Sequence, residues 1–339
     1  MISKGVKMDF SKYILFTGAG FTKNFGAFLA KEIWSELFNN SQIQSCDRLR
    51  ELLLNDYDYE SIYYQVINGD YSDKEKASIN IAIFDAYHKI DKIVAEWTYR
   101  TDGVNPVNIY GVNKFIERFS GQRPDTVGFF FTLNQDLFIE RHFNSIMEGL
   151  DTLCVRKIPY NEKISLKLPI ERGQDFITLP TENDLINIKD NKLSSRMLYY
   201  IKLHGSYGWL SSDGINRYVI GKDKEVELYH EPLLSYYFDL FKKILSMPDR
   251  KLFIIGYSFR DNHINNIIAD AATNSGLKIY VISPSAPPAF INDLRNAEYG
   301  QEILNALKGY YPYSLLDIFP QDQSESHVWR EIMTNYFKD

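Results

Sequence analysis

The chain has 339 residues, 45% hydrophobic and 15% aromatic, with 24% charged and a formal net charge of -6. That apolar content supports a packed core without staples, and the acidic balance offers no global positive field for nucleic acid or an anionic membrane. Two isolated cysteines, Cys46 and Cys154, exclude a four-cysteine zinc module. No apolar run approaches the roughly 20 residues of a membrane span, and the first residues lack a signal-peptide core. The expectation is a soluble cytoplasmic protein with no metal, no membrane partner and no direct nucleic-acid partner.

In chain order, 12–17 (KYILFT) reads as a short buried strand running into Gly18-Ala19-Gly20, then a helix to about 38 carrying Ile33, Trp34, Leu37 and Phe38. Residues 46–119 read as mostly helical. Ile79, Ile83, Ala86, Ile90, Ile93 and Trp97 form one stripe, Asn105-Pro106 breaks it, and Ile109, Val112, Phe115, Ile116 and Phe119 form a second. These stripes are core faces of a helical insertion, about 40–120, between the first two sheet strands. VGFFFT (127–132) is a buried strand and 137–147 the helix after it. Residues about 150–198, with short apolar runs at 154–158 and 176–179, read as a small mixed β-rich lobe. YYIKLH (199–204) is the next strand, and RYVIG (217–221) a candidate hairpin partner. Leu233, Leu234, Tyr237, Leu240, Phe241 and Ile244 mark a helix, followed by KLFIIG (251–256) and KIYVIS (278–283). Continuous apolar strands alternating with helices predict an α/β fold, a Rossmann-like parallel sheet covered by helices on both faces. Residues 286–339 read as a C-terminal tail, helical with loops.

Four runs carry polar or glycine residues just after such strands, where open α/β sheets bind ligands. In FTGAGFT (16–22), Gly18 and Gly20 let backbone approach a diphosphate, yet the hydride-transfer fingerprint GxGxxG fails because its third glycine position is Lys23. In TLNQD (132–136), helix capping accounts for Asn134 or Asp136, not easily for both. KLHGS (202–206) ends a strand in His204, a group that titrates near neutrality and suits a general base; a buried structural histidine is the alternative. IIGYSFRDNHIN (254–265) gives a second glycine turn with Gly256 and Ser258, and Ser283 ends the next strand.

Taken together and in order, Gly18-Ala19-Gly20-Phe21-Thr22, Thr132–Asp136, His204-Gly205 and Gly256-Tyr257-Ser258 resemble the sirtuin family, and GYSFRDNHIN is similar to sirtuin-like domains of bacterial antiphage systems. The zinc module and the peptide-binding run of protein deacylases are absent: Asn24–Phe28 stands where GIPDFR would. The resemblance implies a sirtuin-like domain over 1–285 that takes NAD as substrate and cleaves it to nicotinamide and ADP-ribose, as an antiphage effector. A catalytically silent NAD or ADP-ribose sensor is the alternative, and a deacylase the least supported. It further implies Asn134, His204 and Asp136 as catalytic residues. Gly18, Ala19, Gly20, Phe21, Thr22, Gly256, Ser258 and Ser283 line the dinucleotide. A homo-oligomer, or a partner such as a HerA-type ATPase, is the implied gate.

Overall fold

The computed structural model describes residues 9–96, 107–121, 126–143, 177–189, 198–212, 231–322 and 325–337. Strand β1 (Asp9–Thr17) leads into the short helix α1 (Ala19–Lys23). The insertion follows: α2 (Ala30–Phe38), α3 (Ser41–Gln44), α4 (Asp47–Asn55), α5 (Tyr59–Asn68), the 24-residue α6 (Asp73–Glu96) and α7 (Ile109–Glu117). Then come β2 (Thr126–Thr132), α8 (Phe138–His142), β3 (Ile177–Thr178), α9 (Glu182–Lys189), β4 (Leu198–Lys202) and β5 (Trp209–Leu210). The chain continues through α10 (Pro232–Leu245), β6 (Lys251–Ile255), α11 (Asn262–Ser275), β7 (Lys278–Ile282), α12 (Pro287–Asn296), α13 (Gly300–Ala306), β8 (Leu307–Tyr311), α14 (Leu315–Ile318) and α15 (His327–Tyr336).

Six strands form one parallel sheet in the order β4-β2-β1-β6-β7-β8. The chain winds outward from β1 in one direction and then returns to wind the other way. This is the doubly wound dinucleotide-binding order, and its reversal opens a crevice at the carboxyl ends of β1 and β6. Alternate side chains along each strand enter separate cores. Leu15, Phe130, Tyr200 and Phe253 pack beneath the insertion and α15. Phe16, Phe129, Phe131, Tyr199, Ile201 and Ile254 pack against the layer containing α10 and α11. Both faces are therefore covered, as the continuous apolar runs predict.

Local signals set the helix starts. Asn40, Asp58, Asn108 and Ser326 each accept a backbone N–H in the first turn of the helix they precede. Ile79, Ile83, Ala86 and Ile90 are buried along α6, as their spacing requires, with Ile93 half-buried; in α7 Val112, Phe115 and Ile116 are buried and Ile109 half-buried. Trp97 and Asn105-Pro106 lie outside the described residues, as do 154–158 and 217–221. In the smaller lobe, β3 pairs in parallel with β5.

The segment after 285 is more than helices and loops. It supplies the edge strand β8, with Ile282 opposite Tyr311. It also supplies α15, whose Tyr336 hydroxyl donates to Lys251 O at 3.0 Å and to Ile14 O at 3.5 Å, while Lys251 Nζ donates back to Tyr336 O at 3.0 Å. The last helix thus ties the start of β6 to the neighbouring middle of β1.

Candidate functional site

The two glycine turns meet at the crevice. Gly18 N donates to Ile255 O at 3.0 Å and Gly20 N to Gly256 O at 2.9 Å. A Cβ on Gly20 would stand 2.8 Å from Gly256 Cα, and one on Gly256, at φ +66°, would stand 2.2 Å from Phe21 N. Glycine is required here because two backbones touch. Of the expected dinucleotide contacts, the Gly18, Gly20 and Phe21 amides already donate to backbone carbonyls. The Phe21 ring lies in the core against Phe25, Phe130 and Phe138. Ala19 and Ser258 are exposed at the rim.

Thr22 is the residue through which the first turn reaches the second run. Its Oγ1 donates to Asp136 Oδ2 at 2.8 Å and accepts from Asn134 Nδ2 at 3.2 Å. Beneath it the strand ends are fastened: Thr17 Oγ1 donates to Thr132 Oγ1 at 2.8 Å, and Asn134 N donates to Thr132 Oγ1 at 3.1 Å. An ionised carboxylate only accepts, so Asp136 fixes the direction of the Thr22 hydroxyl. The Thr22 lone pair then faces Asn134 and selects its amide nitrogen. Asn134 Oδ1 is left buried with no hydrogen-bond partner, in a residue only 7% exposed. Buried acceptors are almost always satisfied, so this oxygen calls for an N–H or O–H donor from a ligand.

Asp136 is also a local cap. Its Oδ1 accepts from Phe138 N at 3.0 Å at the entry to α8. Burial raises its carboxyl above the ordinary value, and the Lys202 ammonium opposes that rise. Lys202, 3% exposed, is the ionic centre beneath the site. Its Nζ donates to Glu140 Oε1 at 2.7 Å, to Ser206 Oγ at 2.8 Å and to the Asp136 carbonyl. It joins the end of β4 to α8.

His204 is buried at the same edge. Its Nε2 lies 3.3 Å from Nε2 of His263, in the first turn of α11. The two residues follow strands separated in the sheet by β2 and β1, so loops from both halves converge over the central strands. Within the Gly256–Asp261 loop, Phe259 takes φ +57°, and the fully buried Asn265 holds that turn by donating to Phe259 O at 2.8 Å and accepting from the Tyr257 hydroxyl at 2.8 Å. Ser283 stays apart from this cluster: its N–H goes to Tyr311 O and its hydroxyl contacts Ser285.

The insertion grips the site from the far side. Tyr87 of α6 donates to Gln135 Oε1, while Gln135 Nε2 donates to His204 O at 3.2 Å. Asp91 of α6 forms a buried two-point ion pair with Arg141 of α8. Tyr87, Asp91, Gln135, Glu140, Lys202 and His263 are absent from the sequence-based site. For His263, Gln135 and Lys202 a signal exists, since all three lie inside singled-out motifs. Tyr87 and Asp91 lie in a helix whose stripe reads as core alone.

Residues 128–304 match the family model described as SIR2-like domain. The chain belongs to the SIR2-like domain family. The matched span takes in most of TLNQD's strand, the TLNQD run itself, KLHGS and GYSFRDNHIN, while FTGAGFT and the whole insertion precede it. No curated protein matches the sequence. SIR2-like domains use NAD, and family members are NAD-dependent enzymes. Among the described residues, no group of three or more His, Cys, Asp or Glu side chains could hold a metal ion. No described helix is long and apolar enough to cross a membrane.

Proposed function

We propose that this SIR2-like domain is an NAD glycohydrolase, cleaving NAD to nicotinamide and ADP-ribose. The observation that carries the reading is Asn134 Oδ1: a buried acceptor without a partner, oriented by Thr22 and Asp136, at the edge where a doubly wound sheet binds dinucleotides. Ribose hydroxyls and the attacking water are donors of the kind it lacks.

In the reaction the C1′–nitrogen bond breaks, the bonding pair leaves with neutral nicotinamide, and water adds its oxygen to C1′. Asn134 holds a ribose hydroxyl or the water. His204 takes the proton released. The buried carboxylate of Asp136 keeps Thr22 and Asn134 in register and stabilises positive charge developing on the sugar, an interaction strengthened by the water-poor surroundings. Each Asp136 oxygen accepts one bond and retains a second lone pair, so the nicotinamide carboxamide can donate to it as well.

The resemblance to antiphage relatives supports a defence role in which NAD loss arrests the infected cell. Such an activity needs a gate, and self-assembly or a partner such as a HerA-type ATPase would supply it. The test is purified protein incubated with NAD, with nicotinamide and ADP-ribose separated by chromatography, beside Asn134→Ala and His204→Ala. Turnover in the wild type that both variants lose supports the hydrolase. NAD bound without turnover, alone and with proteins that co-purify, supports the silent sensor.

A further inference from the structure

We infer that Gln135 is a positioning residue for His204, holding the peptide that follows the imidazole, and that Tyr87 of the helical insertion fixes the Gln135 amide for this task; this rests on the reading of His204 as the base.

Strand β4 lies at the edge of the described sheet, beside β2. The chain leaves it through His204 and Gly205, and Gly205 takes φ +76°, a conformation that costs glycine little. The ladder therefore supports this segment from one side, and the residue after His204 adds little restraint of its own. Gln135 supplies it. Its Nε2 donates to His204 O at 3.2 Å, and its backbone O accepts from Tyr207 N at 2.7 Å. A carbonyl and the N–H three residues on would close an ordinary β-turn on each other. Here one residue of TLNQD takes both, so the segment is fastened to the neighbouring strand end instead of to itself.

Gln135 stands between the two residues that meet Thr22. The side chains of Asn134 and Asp136 reach Thr22, whereas that of Gln135 reaches α6. Each donor on this path is fixed by chemistry. The His204 carbonyl can only accept, so the Gln135 amide nitrogen faces it and Oε1 faces Tyr87. Oε1 can only accept as well, so Tyr87 spends its one proton there. Burial pushes the Tyr87 phenol far above its ordinary value, which keeps that proton in place. In its 3.1 Å contact with the Tyr59 hydroxyl of α5, Tyr87 therefore accepts. The Tyr87 ring also stacks with that of Tyr207, centroids 6.0 Å apart and planes inclined by 15°. The insertion thus meets both ends of the segment: His204 through Gln135, and Tyr207 through its ring. Gln135 and Tyr87 are both buried. A buried amide is costly unless paired, and a fully paired one imposes a single geometry. An apolar side chain would fill the same space; what the amide adds is a fixed place for His204 relative to Asn134.

The experiment compares the full chain with Tyr87→Phe, Gln135→Met and the double variant. The sequence contains one His–Gly pair, His204-Gly205. Labelling with carbonyl-¹³C histidine and ¹⁵N glycine therefore isolates that peptide as a single NMR cross-peak, read without NAD. In Gln135→Met the His204 carbonyl carbon should move upfield, as a carbonyl does on losing a hydrogen bond. In turnover Gln135→Met should lose about 10- to 100-fold in kcat with KM little changed, the scale of a misplaced catalytic group. Tyr87→Phe strands Gln135 Oε1 and should lower the melting temperature. The double variant, with both partners apolar, should regain most of that stability but none of the kcat lost in Gln135→Met. A double variant whose kcat recovers with its melting temperature makes the pair structural and overturns the inference. So does an unmoved cross-peak in Gln135→Met, or a raised KM with kcat intact, which makes Gln135 a substrate contact. His204→Ala tests the parent reading by itself: full turnover there removes His204 as the base, while the cross-peak still decides whether Gln135 holds the peptide.

Discussion

The hydroxyl of Thr22 donates to Asp136 across 114 residues of sequence, at 2.8 Å, and in doing so decides which way a third residue faces. Replacing it by Val keeps the branched shape and removes the hydroxyl. Asp136 Oδ2 is then left buried without that donor, at a cost of about 1–3 kcal/mol. Thr22→Val should therefore lower the melting temperature and cut NAD turnover at least tenfold, and Thr22→Ser should restore both. A Val variant with full turnover would show that the Asn134 orientation does not matter.

Asn134→Ala separates chemistry from stability. The side chain donates through Nδ2 to Thr22, and its Oδ1 has no partner to lose. Urea unfolding should shift by about 1 kcal/mol or less, while kcat falls by roughly 100-fold or more, as for a side chain that stabilises a transition state. A large stability loss with a proportionate activity loss would make Asn134 structural instead.

Lys202→Met tests the buried pair. Burial raises the Glu140 carboxyl above its ordinary 4.5, and Lys202 pulls it back. Without Lys202 the folded protein holds that proton to higher pH, where the unfolded chain has released it. Stability should then fall as pH rises above 4.5, with a small deficit at the acid end and about 3–5 kcal/mol near neutrality. Urea melts at acid and neutral pH measure the slope, and the double change Lys202→Met with Glu140→Leu should recover most of it. A deficit independent of pH would mean that lost packing, not an unpaired carboxylate, is responsible.

Two glycines with the same backbone sign should respond differently to alanine. Gly276, at φ +70°, has nothing within 4 Å of a new Cβ, so Gly276→Ala should cost about 1–2 kcal/mol, the strain of a left-handed alanine. Gly256→Ala adds a collision with the Phe21 amide and should cost at least about 3 kcal/mol, since the two backbones must part. Similar losses in thermal unfolding would argue against a tight crevice.

The sheet was legible because FFF at 129–131, LFII at 252–255 and IYVI at 279–282 are buried on both faces and leave no alternation to misread. Strand β8 was not, because Lys308 and Gly309 interrupt its apolar run at the sheet's edge, where one side of the backbone needs no partner. Asn134, Asp136 and His204 stood out as polar residues at strand ends. What joins them did not: the His204–His263 contact depends on two loops meeting over the sheet, and Tyr87 belongs to a helix face whose spacing also suits a core. Gly18 and Gly20 were legible as close-approach positions, but glycine answers equally to a ligand and to a second backbone, and here Gly256 occupies that space.

Tyr336 holds the start of β6 and the neighbouring middle of β1 in one grip, with Tyr13 donating to the neighbouring Phe337 carbonyl at 3.2 Å. During synthesis the first strand therefore waits for a residue more than 300 positions behind it before it is clasped. Until β8 emerges the nascent sheet has an open edge along β7, and until the last helix follows it has no clasp at its foot, an interval in which the unfinished sheet is exposed to other chains. Translation must therefore run past Phe337 before the foot of these strands is clasped, while the crevice lies at their opposite end.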